Sequence, residues 1–168
     1  LEKFCQAVVT EFKQIDLVVS NVGVNPTAGR GLDMDESVYD RIMDSNVKSH
    51  WKLLKLLYPY LTKPGASIVL TSSVAAFLPN TPLGIYGMSK TALTALGKAL
   101  ASDLGPEGVR INTLCPGLVK TRMAEMLWKD PQHHERVASF LKRLGEPEDM
   151  AGTVAYLLSE DARHVTGE

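Results

Sequence analysis

Three short runs of β-branched and apolar residues, Ile15 to Ser20, Ser67 to Ser72 and Val109 to Leu114, are set apart by stretches whose apolar residues recur at helical spacing. A run that is apolar at nearly every position suits a strand covered on both faces, and such strands belong to parallel sheets. The stretches between the runs are long enough to carry the chain back across the sheet, as parallel pairing requires. In residues 1 to 14, Leu1, Phe4, Cys5, Val8, Val9 and Phe12 form one helical stripe. Further helices are expected from about Ser37 to Leu61, Leu83 to Leu104, Thr121 to Trp128 and His134 to Arg143. A last one runs to about Ser159, with Pro147 in its first turn, where a missing N–H costs nothing. The expectation is therefore an α/β fold with a parallel sheet and crossover helices.

Composition removes whole classes of function. A formal net charge of -1 with both signs interspersed offers no footprint for nucleic acid, whose binding leans on phosphate neutralisation. The apolar stretches around Leu53 to Leu61 and Thr91 to Ala101 are interrupted by Lys55 and Lys98 and are too short for a membrane span. Cys5 and Cys115 lie far apart with no Cys-x-x-Cys spacing, so they read as reduced thiols of an intracellular protein, with cytoplasm, peroxisome and mitochondrion all open. No metal site is expected: His133, His134 and Glu135 lack ligand spacing and read as solvated surface. Ser45 and Lys48 match Ser-x-x-Lys without its companion motifs, and no Gly-x-Ser-x-Gly elbow is present. A length of 168 residues fits one domain.

The chemistry-bearing residues cluster at the ends of the expected strands. Asn21 and Gly23 follow the first, Ser73 follows the second, and Pro116, Gly117, Val119 and Thr121 follow the third. In open parallel α/β sheets the carboxyl ends of the strands are where ligands bind. Tyr86 and Lys90 are one turn apart at the start of the expected third helix, and Asn46 is a polar amide within the second. A Tyr followed four residues later by a Lys is common on helix surfaces, so the pair gains meaning only from its neighbours.

The spacing of Asn46, Ser73, Tyr86 and Lys90 resembles the short-chain dehydrogenase/reductase superfamily, along the whole of residues 1–168. More narrowly, Val24-Asn25-Pro26, Ser89-Lys-Thr-Ala-Leu93, Pro116-Gly-Leu-Val-Lys-Thr121 and Arg143-Leu-Gly-Glu-Pro-Glu-Asp149 resemble its member 4 group, NADP-dependent carbonyl and retinal reductases. The resemblance implies a three-layer Rossmann-type doubly wound parallel sheet. It implies hydride transfer between a nicotinamide cofactor and a carbonyl or secondary alcohol, with NADP(H) ahead of NAD(H). Tyr86 would be the general acid/base, Ser73 would hydrogen-bond the substrate oxygen, and Lys90 would hold the cofactor ribose. Asn46 would order a water that relays protons to Lys90. Asn21, Gly23, Tyr86, Lys90, Pro116, Gly117, Val119 and Thr121 would line the cofactor. The turn Ser20-Asn-Val-Gly23 departs from the family's Asn-Asn-Ala-Gly at two positions.

Lys90 is expected to lower the Tyr86 pKa. Two unit charges about 4 Å apart interact by roughly 4 kcal/mol at an effective dielectric near 20, enough to draw a phenol from about 10 toward neutrality. Residues from about 120 to 145 fall where the family covers its substrate, and Met123 and Leu127 there suit a small hydrophobic carbonyl or alcohol. Helices apolar over more than one stripe, around Trp51 to Leu57 and Ala92 to Leu104, fit the homo-oligomer, dimer or tetramer, that the resemblance implies, and fit the exposed core of a partial domain equally well.

No strand followed by a Gly-x-Gly-x-x-Gly turn occurs, so residues 1–168 are expected to be a single partial domain. Its three strands would leave out the first βαβαβ half and stop short of the last strand. The alternative reading is a truncated, catalytically silent variant that acts only by association with other subunits.

Overall fold

The computed structural model describes residues 1–79, 82–129 and 141–168. The chain forms α1 (Glu2–Phe12), β1 (Leu17–Ser20), α2 (Glu36–Met43), a π-helical turn (Asp44–Lys48) and α3 (Ser49–Leu57). It continues through β2 (Ser67–Thr71), α4 (Gly84–Leu104), β3 (Arg110–Leu114), α5 (Glu125–Trp128) and α6 (Pro147–Leu158). The strands pair in parallel in the order β1-β2-β3, with Val18 beside Ile68 and Ile68 beside Ile111. The expected α/β architecture with a parallel sheet is what the chain adopts.

Alternation along the strands decides which helix covers which face. Val18, Ile68, Leu70 and Ile111 point to one face, where they join Leu54 and Leu57 of α3 and Leu93 and Ala101 of α4 in one core. Ile68, Leu70, Leu93 and Ile111 are wholly buried, and each such side chain contributes about 1.5–3 kcal/mol. The opposite face carries Ser67 and Arg110, whose side chains donate to the Leu157 carbonyl at the end of α6. Arg110 also donates to the Ser159 carbonyl, so one guanidinium closes the C-terminus of that helix. The start of α6 is closed by a capping box between Glu146 and Asp149, with Pro147 in the first turn.

Several boundaries differ from expectation. The single helix expected from Ser37 to Leu61 is instead two helices joined by the π turn, and it gives way to a 3₁₀ turn after Leu57. The helix expected from Thr121 shrinks to Glu125–Trp128, because residues 121–124 turn through Thr121 instead. The helix expected from His134 to Arg143 lies largely outside the described residues. Among the described residues β1 is not covered on both faces: Leu17 and Val19 are 55% and 47% exposed, because α6 packs mainly on β2 and β3.

α4 lies close on the sheet because Gly97 has no side chain. A Cβ there would stand 2.6 Å from Thr113 Oγ1 and 3.5 Å from Leu70 Cδ1. Alanine is the better helix former by about 1 kcal/mol, but overpacking costs about 1–3 kcal/mol. Gly97→Ala is expected to destabilise the fold by up to about 2 kcal/mol in urea unfolding, the clash outweighing the propensity. An unchanged or raised midpoint would show that the helix–sheet spacing yields freely.

Candidate active site

The site is built where helices α2 to α4 meet the carboxyl ends of β1 and β2. In the π turn at Asp44–Lys48 one extra residue enters the helical winding, and Asn46 within it is wholly buried. Its Oδ1 accepts from Val24 N at 2.7 Å, and its Nδ2 donates to Val24 O and to Ser89 Oγ, each at 3.0 Å. Both amide protons are thus committed, which leaves one Oδ1 lone pair as the side-chain contact open to a relay water. Ser89 in turn donates to the Tyr86 carbonyl at 2.7 Å, so Asn46 is tied to the first turn of α4.

Lys90 is 3% exposed, and its ammonium donates to the Thr71 carbonyl at the end of β2, 2.9 Å away. Among the described residues this is its one hydrogen-bond acceptor, so two N–H groups of a buried ammonium remain available. Burial lowers its pKa to about 8, opposed in part by nearby Cys115. Gly23 faces this ammonium: a Cβ there would stand 3.2 Å from Nζ and 3.7 Å from Asn46 Oδ1. The Lys90 Nζ is 5.8 Å from the centre of the Tyr86 ring.

The expected lowering of the Tyr86 pKa is not found. Burial raises it, and an interaction with the Ser73 hydroxyl offsets only part of that rise. Lys90 does not enter, because its ammonium is drawn to Thr71 rather than to the phenol. Ser73 is held in extended backbone just beyond β2, where its Oγ accepts from Ala75 N at 3.2 Å. Val74 N donates to the Pro116 carbonyl at 2.9 Å, which ties the loop after β2 to the loop after β3.

The structure therefore brings Asn46, Ser73, Tyr86, Lys90 and Gly23 together. Asn21 and Thr121 are exposed, Gly117 has open space before its Cα, and none of these three shares a hydrogen bond with the central four. Val119 bridges to Gly145, and Lys120 pairs with Glu146. These contacts close the neck of the segment that carries Met123, which is 55% exposed, and the half-buried Leu127. His133, His134 and Glu135 lie outside the described residues. Among the described residues no group of three or more His, Cys, Asp or Glu could hold a metal ion, and no helix is long and apolar enough to cross a membrane. Cys5 and Cys115 are both free.

Sequence reasoning missed His50, one turn after Asn46 on the same helical face. It is wholly buried, with Nδ1 2.7 Å from Ser20 Oγ and Nε2 3.0 Å from the Val22 carbonyl. The carbonyl only accepts, so Nε2 carries the proton and Ser20 donates to Nδ1. Burial holds the His50 pKa down at about 4, the Val22 contact opposes this, and the Lys90 charge adds to the depression. An unfolded His titrates near 6.5, so this group's contribution is intact above that pH and is lost as pH falls toward 4. The chain should lose about 2–3 kcal/mol between pH 7 and pH 4.5 on this account, and His50→Gln should escape that part. Urea midpoints of the two proteins at both pH values measure it; parallel losses would refute it.

Comparisons with known proteins bear on this arrangement. The sequence model of a family described as enoyl-(acyl carrier protein) reductase matches residues 1–168. Dehydrogenase/reductase SDR family member 4 of Homo sapiens is 46% identical over 157 residues, which cover 92% of this chain and 56% of that protein. The protein of the same name from Caenorhabditis elegans is 35% identical over 173 residues, covering 99% and 66%. Among solved structures, a short-chain dehydrogenase/reductase (glucose/ribitol dehydrogenase) from Brucella melitensis superposes with a TM-score of 0.91 at 31% identity, covering 99% of this chain and 67% of that one. Aldohexose dehydrogenase of Thermoplasma acidophilum, in ligand-free form, gives 0.85 at 29% identity, covering 99% and 69%. The chain spans a little over half the length of the mammalian relatives it matches, 56% of the human protein.

Proposed function

This chain belongs to the short-chain dehydrogenase/reductase family, and on that premise we propose that it carries the catalytic part of an oxidoreductase. The reaction is hydride transfer between a nicotinamide cofactor and a small hydrophobic carbonyl or secondary alcohol. The observation that carries this reading is the Lys90 ammonium, buried, bound to one acceptor and facing a glycine across 3.2 Å to a would-be Cβ. A buried cation with two N–H groups to give suits a neutral diol such as a ribose. The glycine keeps the approach open. The residues present thus fit the cofactor.

When bound, the nicotinamide supplies or takes up the hydride. Tyr86, whose burial keeps the phenol protonated at neutral pH, donates its proton to the carbonyl oxygen, a state suited to reduction. Ser73 lies beside the phenol and hydrogen-bonds the same oxygen. Lys90 holds the ribose hydroxyls, while Asn21, Pro116, Val119 and Thr121 line the remaining cofactor contacts. Asn46 acts by position, since it fixes Val24 and Ser89; a water on its free lone pair would extend the proton path. Met123 and Leu127, in the described part of the segment from about 120 to 145, are the apolar contacts of the substrate in this proposal; residues 130–140 of that segment lie outside the described residues. In this proposal the cofactor is NADP(H) ahead of NAD(H), a preference that rests on the sequence resemblance given above. Trp51 on α3, 43% exposed, supports pairing with a second copy in the full-length protein.

The test is the initial rate of NADPH and NADH oxidation by the full-length gene product with a panel of apolar ketones and aldehydes. Carbonyl-dependent oxidation, faster with NADPH, is expected. A folded protein that oxidises neither cofactor with any carbonyl, and reduces neither oxidised form with secondary alcohols, would overturn the reading.

A further inference from the structure

The stretch after β1 is pinned at every second residue from one helical face. His50 takes Ser20 at 2.7 Å and Val22 at 3.0 Å, and Asn46, four residues earlier, takes Val24 through both its N–H and its C=O. In extended chain alternate residues share a side, so contacts at 20, 22 and 24 fix the path of the residues between them. Those residues are Asn21, which is exposed, and Gly23, which faces Lys90. The contacts have a fixed direction. Ser20 donates to Nδ1 and Nε2–H donates to the Val22 carbonyl, so the ring is a rigid spacer between the strand end and its turn.

A serine hydroxyl on an imidazole nitrogen is also the geometry of an activated nucleophile. That use is closed here. Ser20 is 2% exposed and His50 wholly buried, and Nε2 is spent on a neutral carbonyl rather than on an orienting carboxylate. No substrate can reach the hydroxyl, and the pair stands directly beneath the turn that carries Asn21 and Gly23.

We propose that His50, with Ser20, is the positioning residue for the cofactor-facing turn: by bridging Ser20 and Val22 it sets where Asn21 and Gly23 stand, and through them how tightly the nicotinamide cofactor binds. This rests on the hydride-transfer reading above. The imidazole touches neither the cofactor nor the reacting atoms, so its removal acts on cofactor affinity and leaves the chemical step alone.

The experiment titrates NADPH and NADH into the full-length gene product and its variants by the protein's own fluorescence, and then measures kcat at saturating cofactor. His50→Leu keeps the bulk and removes both contacts; the cofactor Kd should rise about tenfold while kcat changes by less than about threefold. Ser20→Ala removes one contact and should raise Kd about threefold. His50→Gln, whose amide can accept from Ser20 and donate to Val22, should bind within about twofold of the wild type. Kd values for His50→Leu and Ser20→Ala both within twofold of wild type, or a loss confined to kcat, would overturn the proposal. If His50→Leu fails to fold, Ser20→Ala decides alone, and its own failure to fold would make the pair a folding element and overturn the proposal too. A folded wild type that binds neither cofactor overturns the hydride-transfer reading instead, and is told apart by that.

Discussion

Tyr86→Phe should lower kcat for carbonyl reduction by the full-length protein about 10²–10⁴-fold, while the cofactor Kd stays within a factor of about two. The substitution removes one oxygen and keeps the ring, so packing at the start of α4 is retained. The lost atom is the proposed proton donor. Its pKa is raised by burial, so at neutral pH the wild-type phenol carries the proton that reduction consumes. Among the described residues beside the phenol none replaces it: the Ser73 hydroxyl is a far weaker acid than a phenol, and the Lys90 ammonium is bound to the Thr71 carbonyl, with its other N–H groups given to the ribose in this proposal. Stopped-flow single turnovers with a saturating ketone, set beside fluorescence titration of NADPH, separate the two quantities. A variant that kept more than about a tenth of wild-type turnover would remove Tyr86 from the chemistry.

Asn46→Ala should be the most damaging single truncation for stability, at about 4 kcal/mol. The wholly buried amide makes three hydrogen bonds, to Val24 N, Val24 O and Ser89 Oγ. Alanine supplies none of them, so the partly buried Val24 N–H and C=O and the buried Ser89 hydroxyl each lose a side-chain partner, at about 1–3 kcal/mol each. The π turn that presents residue 46 loses its reason to persist, and α2 and α3 are free to merge into one regular helix. Thermal unfolding should show a midpoint lower by about 10 °C for a domain of this size. Asn46→Asp keeps the acceptor for Val24 N and should fall between alanine and wild type. A drop of less than about 2 °C for Asn46→Ala would mean that the clasp on Val24 contributes little.

What was legible in the sequence followed from local periodicity. Each of the three strand runs became a strand within two residues of its expected start, and the parallel pairing followed from their apolar continuity and the helices between them. The Tyr86 and Lys90 pair on one helical turn was equally local. The π turn was not legible, since one extra residue barely alters an apolar stripe. Burial was the other blind spot. Charge spacing alone predicts that Lys90 lowers the Tyr86 pKa, whereas enclosure of the phenol raises it. β1 reads as covered on both faces, but cover depends on how far α6 reaches, and Leu17 and Val19 stay open. The Ser20–His50 contact joins residues thirty apart, and nothing in a helix that also carries Ser49, Lys52 and Lys55 marks its histidine as a partner of a strand end.

The neck formed by Val119 with Gly145 and by Lys120 with Glu146 bears on how such a protein changes its diet. Where the two ends of an excursion are held to each other, a change in its length need not be passed on to α4, the helix that carries Tyr86 and Lys90. Doubling the length of such a loop adds only about 0.6 kcal/mol of closure entropy. The paired ends at Val119–Lys120 and Gly145–Glu146 can therefore stay in place when the sequence between them is lengthened, shortened or exchanged for that of a relative, and the proposed proton donor on α4 need not move with the change.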